Sequence, residues 1–153
     1  MGNIFNEDFR DFLVALRHNA VRYVLVGGYS VILHGYSRTT GDLDIWVDKT
    51  ADNYGRLARA FLDFGMPTFD MTAENFLHRS DFDVFTFGRS PVAIDIITTL
   101  KGLDFAEAYA QATDAEVEGL IVRLIHYHDL LQAKRAAGRP RDQNDLDNLQ
   151  SRH

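Results

Sequence analysis

The sequence has 153 residues and a mass of 17.4 kDa, room for one domain that buries about two-thirds of its unfolded surface, so a second independent core is not expected. Hydrophobic residues make up 46% and charged residues 25%, and the mean hydropathy is -0.20, which argues against disorder and against a membrane-resident chain. The absence of cysteine excludes disulfides, thiolate nucleophiles and cysteine-held zinc, and the formal net charge of -6 opposes a broad grip on nucleic acid while suiting divalent cations held by oxygen or imidazole.

The first residues, MGNIFNEDFRDF, have neither the basic region nor the apolar stretch of a signal peptide, and no apolar run reaches the roughly 18 residues that span a bilayer, so a cytoplasmic location is expected. Asn6 or Asp8 caps a first helix in which Phe9, Phe12, Leu13 and Leu16 recur at helical spacing, with a break near Asn19. Tyr23-Val24-Leu25-Val26 reads as a buried strand ended by Gly27-Gly28, and Tyr29 to His34 as a short helix finishing near Gly35. Leu43 to Val47, β-branched and aromatic, is a second strand. Tyr54, Leu57, Ala58, Phe61 and Leu62 share one face of a helix from Ala51 to Phe64, and Gly65 is its C-cap.

Val84 to Phe87 and Val92 to Ile97 read as antiparallel strands joined through the turn residues Gly88, Arg89, Ser90 and Pro91. Phe105 to Gln111 is helical, Leu120 to Leu124 reads as an edge strand, and Asp129 to about Ala137 as a further helix. Gly138 and Pro140 then break the chain before a last helix that starts near Asp142. With no repeat, low-complexity tract or linker, the expectation is an α/β (α+β) fold in a single domain, 1–153, with a small mixed sheet flanked by helices.

Chemistry concentrates in Gly27-Gly28-Tyr29-Ser30 and, 13 residues after Gly28, in Asp42-Leu43-Asp44-Ile45. Side chains two apart in a strand point the same way, so the Asp42 and Asp44 carboxylates stand together with Cα atoms about 6.6 Å apart. Two ionised carboxylates that close raise each other's pKa unless a cation compensates, which points to a magnesium site. Asp95 sits in the apolar run Val92-Ala93-Ile94-Asp95-Ile96-Ile97, where an uncompensated charge would be costly to bury. If that strand lies beside the one bearing Asp42 and Asp44, three carboxylates converge, and three can hold two cations ~4 Å apart for phosphoryl or nucleotidyl transfer. The Gly27-Gly28 corner adds close backbone approach and a following helix start to receive phosphate, although a Gly-Gly after a strand is by itself an ordinary tight turn.

Val26-Gly27-Gly28, the 13-residue spacer and Asp42-Leu43-Asp44-Ile45 resemble the signature of the DNA polymerase β-like nucleotidyltransferase superfamily. The wider string LVGGYSVILHGYSRTTGDLDIWV, with Ile94-Asp95-Ile96 and the run from Lys134 to Asp142, resembles a small bacterial branch related to the nucleotidyltransferase toxins of abortive-infection systems, over residues 21 to 149. The resemblance implies a nucleotidyltransferase fold and the transfer of a nucleoside monophosphate from a nucleoside triphosphate such as ATP to an acceptor hydroxyl on RNA, a protein or a small molecule such as an aminoglycoside. It implies Asp42, Asp44 and Asp95 as catalytic ligands of Mg2+, with Mn2+ as the alternative, and Asp95 as the group that activates the acceptor. Gly27, Gly28 and Ser30 would cradle the triphosphate, Lys134 would face it, and Asp142 would be the acid of the last motif. A cognate antitoxin and a homo-oligomer are the partners that such a toxin would bring.

Blander readings stand beside these. Asp42 and Asp44 by themselves could mark a solvated strand end, and Asp48 reads as surface or as the cap of the helix from Ala51. Arg38-Thr39-Thr40 either contacts phosphate or base, or Arg38 pairs with a nearby acid. Lys134, Arg135, Arg139 and Arg141 read as a solvated basic face, with Lys134 promoted by the resemblance alone. His126 and His128 straddle a strand-to-helix junction, which is poor zinc geometry, and His34 reads as packed or capping. Tyr29, Trp46, Phe61, Phe85 and Phe87 are most simply core, with Tyr29 also placed to stack on a nucleobase. The rival from another class is a non-catalytic nucleotide-binding or interaction module, an antitoxin-like partner, whose mark would be missing carboxylates; a phosphohydrolase would show histidine-aspartate pairs.

Overall fold

A computed structural model describes residues 4–89 and 92–151. In chain order the elements are α1 (Glu7–His18), β1 (Tyr23–Val26), α2 (Gly27–Leu33), β2 (Leu43–Val47), α3 (Ala51–Phe64), α4 (Ala73–His78), β3 (Val84–Phe87), β4 (Ile94–Ile97), α5 (Phe105–Gln111), β5 (Thr113–Val117), β6 (Leu120–Leu124), α6 (Tyr127–Ala137) and α7 (Pro140–Ser151). The six strands form one mixed sheet in the order β3-β4-β2-β1-β6-β5, flanked by helices. β1 is antiparallel to β2 and parallel to β6; β2 is parallel to β4.

Local chemistry accounts for most boundaries. Asn6, not Asp8, caps α1 by accepting the Phe9 N–H at 2.8 Å. Thr50 caps α3, and Gly65 closes it in the left-handed region at φ 85°. Asp48 therefore caps nothing: its carboxylate pairs with Arg22 at 2.9 Å. α1 and α3 pack together through Phe12, whose ring meets Phe61 edge-on at 5.5 Å. β1 and β2 are buried almost throughout, as strands in the middle of a covered sheet must be.

The structure corrects several sequence boundaries. Gly27 and Gly28 open α2 rather than merely ending β1. β4 begins at Ile94, so Val92 and Ala93 lie before it, and Ser90 and Pro91 of the expected turn lie outside the described residues. Leu120–Leu124 is interior, between β1 and β5, and the edge is β5. β5 escapes a hydropathy reading because Thr113-Asp114-Ala115-Glu116-Val117 buries only its last residue. α4 was also missed, although Thr72 caps it by accepting from the Asn75 N–H. α7 starts at Pro140, whose fixed φ suits the first helical turn.

Tyr29, Trp46, Phe61, Phe85 and Phe87 are all core. Tyr29 packs on Phe5 and Phe9 at 5.0 and 5.9 Å, so its ring is spoken for and does not face a nucleobase. No helix among the described residues is long and apolar enough to cross a membrane.

Candidate active site

The C-terminal end of β1, the start of β2 and the middle of β4 meet at one cleft of about 290 Å³. The parallel register of β2 and β4 makes Asp44 and Asp95 direct partners, and Val26 lies opposite Asp44 on the other side of β2. β4 thus lies directly beside β2, the strand order on which the sequence reading made the meeting of the carboxylates depend. The carboxyl groups of Asp44 and Asp95 share a hydrogen bond. Burial, then the negative charge of Asp95 and that shared bond, then Asp42, push the Asp44 carboxyl up to about 7, against a lowering pull from Lys134.

Each of the other two acids is aimed by a donor. Asp42 Oδ1 accepts the Ala93 N–H at 2.9 Å, which pins the residue before β2 to the residue before β4. Asp95 Oδ1 accepts the Thr86 hydroxyl at 2.7 Å, a cross-strand pair in the antiparallel β3–β4 ladder.

Gly27 has φ 71°, and a Cβ there would collide with the Asp44 carboxylate; a Cβ on Gly28 would collide with the Thr40 side chain and press on Arg38. The glycines are required by what they face, not only by the turn. Ser30 is buried and donates its hydroxyl to the Gly27 carbonyl at 2.6 Å, which holds the corner from behind.

The other wall is cationic. The Lys134 side chain, 10% exposed, reaches Asp145 at 2.9 Å and Asp142 at 3.2 Å, and both acids are buried. Arg38 forms a two-pronged pair with Asp145 at 2.8 and 3.0 Å, and Arg139 grips Asp142 at 2.6 and 3.2 Å. Burial opposes the charge on Asp142, but the Arg139 hydrogen bonds and Lys134 outweigh it and hold its carboxyl below the usual range. Three cations thus share two acids and face three aspartates across the cleft.

Of the residues singled out in the sequence, Gly27, Gly28, Arg38, Thr40, Asp42, Asp44, Asp95 and Lys134 line this cleft, while Ser30 and Asp142 stand behind its surface. Asp145 and Asn144 also line it and were missed, and Arg139 and Arg141, read in the sequence as a solvated basic face, line it too. The usable signal was the three-residue spacing of Asp142 and Asp145, which puts both on one face of a helix. His126 caps α6 by accepting the His128 N–H, and His34 Nε2 meets the Ile125 carbonyl at 2.6 Å, so both act structurally.

Among the described residues no three acidic or imidazole side chains stand as a ready-made metal cage. The donor set nevertheless fits a hard divalent cation: Asp42, Asp44 and Asp95 offer only carboxylate oxygens, and Asp44 and Asp95 are close enough to need either a proton or a cation between them.

No protein-family model matches the chain, and no curated protein matches it. Solved structures do. The lincosamide antibiotic adenylyltransferase LnuA, determined with lincomycin bound, superposes with a TM-score of 0.62 at 17% identity, covering 98% of this chain and 99% of that one. TM1012 of Thermotoga maritima, assigned as a nucleotidyltransferase, gives 0.57 at 16% over 95% and 91%. The antibiotic-resistance factor ANT(2'')-Ia gives 0.57 at 14% over 95% and 82%. At such identities the likeness is one of fold: the chain has the mixed α/β architecture of the nucleotidyltransferases, with its acids and glycines at the mouth of that sheet.

Proposed function

We propose that this chain is a nucleotidyltransferase that moves a nucleoside monophosphate from a nucleoside triphosphate to an acceptor hydroxyl and releases pyrophosphate. The observation that carries the reading is the direct pairing of Asp44 with Asp95 across β2 and β4, closed over by a glycine that has no room for a Cβ. Asp42, Asp44 and Asp95 would hold Mg2+, or Mn2+, which when bound supplies charge neutralisation for the triphosphate and the leaving group.

The protein's own groups divide the remaining work. The backbone at Gly27 and Gly28 lets the phosphate chain approach α2, and Ser30 keeps that corner rigid. Arg38, Lys134 and Arg139, already desolvated in part on Asp142 and Asp145, present positive charge to the phosphates without moving far. Thr40 borders Gly28 and limits how the chain can lie. Asp95, oriented by Thr86, accepts the proton of the attacking hydroxyl.

Acceptor identity separates two versions of this function. The neighbours LnuA and ANT(2'')-Ia point to a small hydroxylated molecule, and the near-complete mutual coverage with LnuA supports that version. The toxin branch that the sequence resembles points to RNA or protein, with an antitoxin as partner. Purified protein incubated with each labelled triphosphate, Mg2+ and whole-cell extract should label one molecule and release pyrophosphate, and Asp42→Asn or Asp95→Asn should abolish both. Triphosphate binding without release across antibiotic, RNA and protein acceptors would replace the reading with the non-catalytic module.

A further inference from the structure

A second cleft opens at the far end of β1. Tyr23 and Val26 are three strand steps apart, about 10 Å, so the groups around Arg22 and Tyr23 are well removed from the carboxylates beyond Val26. This cleft, about 470 Å³, draws Arg17 from α1, Arg22 from the entry to β1, Arg56 from α3 and Arg123 from β6 around Tyr109 of α5. Among the described residues Asp114 is the one carboxylate in its lining. In a chain with a formal net charge of -6, four guanidiniums converging from four elements is a concentration of charge that folding alone does not require.

The guanidiniums are built in, not loosely hung. Arg22 and Arg123 lie over Tyr109 at 4.5 and 4.7 Å from the ring centre. Arg22 is tethered to Asp48 at 2.9 Å, and Arg56 to the Ala20 carbonyl at 3.0 Å and to Asp52 at 3.2 Å. Arg123 donates to the Tyr109 carbonyl at 2.6 Å and, at 3.4 Å, to Asp114, yet its buried Nε has no hydrogen-bond partner among the described residues. Arg17 has no carboxylate partner among the described residues. A buried donor left without a partner and an exposed guanidinium not engaged by a carboxylate, at one cleft, are both matched by the same thing, a multiply charged oxyanion.

We propose that this cleft binds a phosphate-class anion, through Arg17 and Arg123 above all, with Arg22 and Arg56 framing it. Because both Arg22 and Arg123 are stacked against Tyr109, that ring is not offered to a nucleobase; the ligand is recognised by its phosphate, whether free or carried on a nucleotide strand. The inference stands independently of the nucleotide-transfer reading.

The test is titration calorimetry on the full chain at fixed ionic strength with EDTA present, so that no divalent metal at the carboxylate-lined cleft recruits an anion there. The probes are inorganic pyrophosphate and a ten-nucleotide RNA without terminal phosphates. Saturable binding of either probe is expected, weakened about tenfold or more by Arg17→Ala and by Arg123→Gln, and unchanged by Arg79→Gln, an exposed arginine after α4 that lines neither cleft. Response to pyrophosphate alone identifies a free phosphate ligand, and response to the oligonucleotide identifies a strand. Arg17→Ala removes no intramolecular ion pair among the described residues, so the fold survives it, and matching melting curves verify this. Binding of neither probe, or binding that both arginine variants leave at wild-type strength, overturns the proposal.

Discussion

Gly27 and Asp44 compete for one volume: a single carbon added to Gly27 would fall on the Asp44 carboxylate. Gly27 also has φ 71°, where an L side chain is strained. Gly27→Ala is therefore expected to cost about 1–3 kcal/mol of stability and to displace Asp44, abolishing nucleotide transfer. Gly35, at φ 114° with nothing within 4 Å of an added Cβ, is the control. Gly35→Ala should lose stability of similar order and keep its activity. Urea unfolding and a transfer assay on both variants check the pair; equal activity losses would mean that the clash with Asp44 does not matter.

The pairing of Asp44 with Asp95 predicts an unusual pH dependence in the absence of metal. The Asp44 carboxyl is raised from 3.8 to about 7, so between those values the folded chain holds a proton that the unfolded chain has released. Stability falls as pH rises from about 4 to 7 and then levels. Asp142 acts in the opposite sense: its carboxyl is lowered, and its contribution is lost as pH falls below about 4. Thermal melts in EDTA from pH 5 to 8 should show the first slope. Asp44→Asn should flatten it and raise the melting temperature at pH 8 by a few degrees, on the order expected for 1 kcal/mol, while removing activity. Mg2+ should stabilise the wild type at pH 8 and leave that variant unmoved.

What the sequence disclosed, and what it hid, follows from the range of each cause. The glycine corner and the Asp42–Asp44 pair are set by φ and by strand periodicity, which act within a few residues, and both were legible. Asp95 was legible as a misplaced charge in an apolar strand, but its meeting with Asp44 depended on β4 pairing with β2 across about fifty intervening residues. Asp145 was hidden because α7 carries Asp142, Asp145 and Asp147, and only packing against α6 and Arg38 decides which of them are buried. The exposed edge strand β5 was hidden for the converse reason, since burial leaves little mark on its composition.

Lys134 is held by two buried acids, so its removal should act first on the fold. Lys134→Met leaves Asp142 and Asp145 facing each other with one cation fewer, and a loss of about 3–5 kcal/mol is expected. Adding Asp145→Asn should return part of this, with a coupling of about 1–3 kcal/mol in a double-mutant cycle. If Lys134 served only the triphosphate, the single variant would melt like the wild type and show a raised KM alone.

Thr86 offers the finest test of the proposed proton acceptor. Its hydroxyl donates to Asp95 Oδ1 at 2.7 Å from an exposed position on β3, and that bond fixes where the carboxylate points. Thr86→Val keeps the shape and suits a strand but removes the donor, so Asp95 loses the contact that orients it. Transfer should slow about two- to fivefold at unchanged KM for the triphosphate, since an exposed hydrogen bond is worth about 0.5–1 kcal/mol. Thr86→Ser, which retains the hydroxyl, should restore the rate with the same melting temperature. An unchanged rate in Thr86→Val would remove Thr86 from the orientation of the proposed proton acceptor.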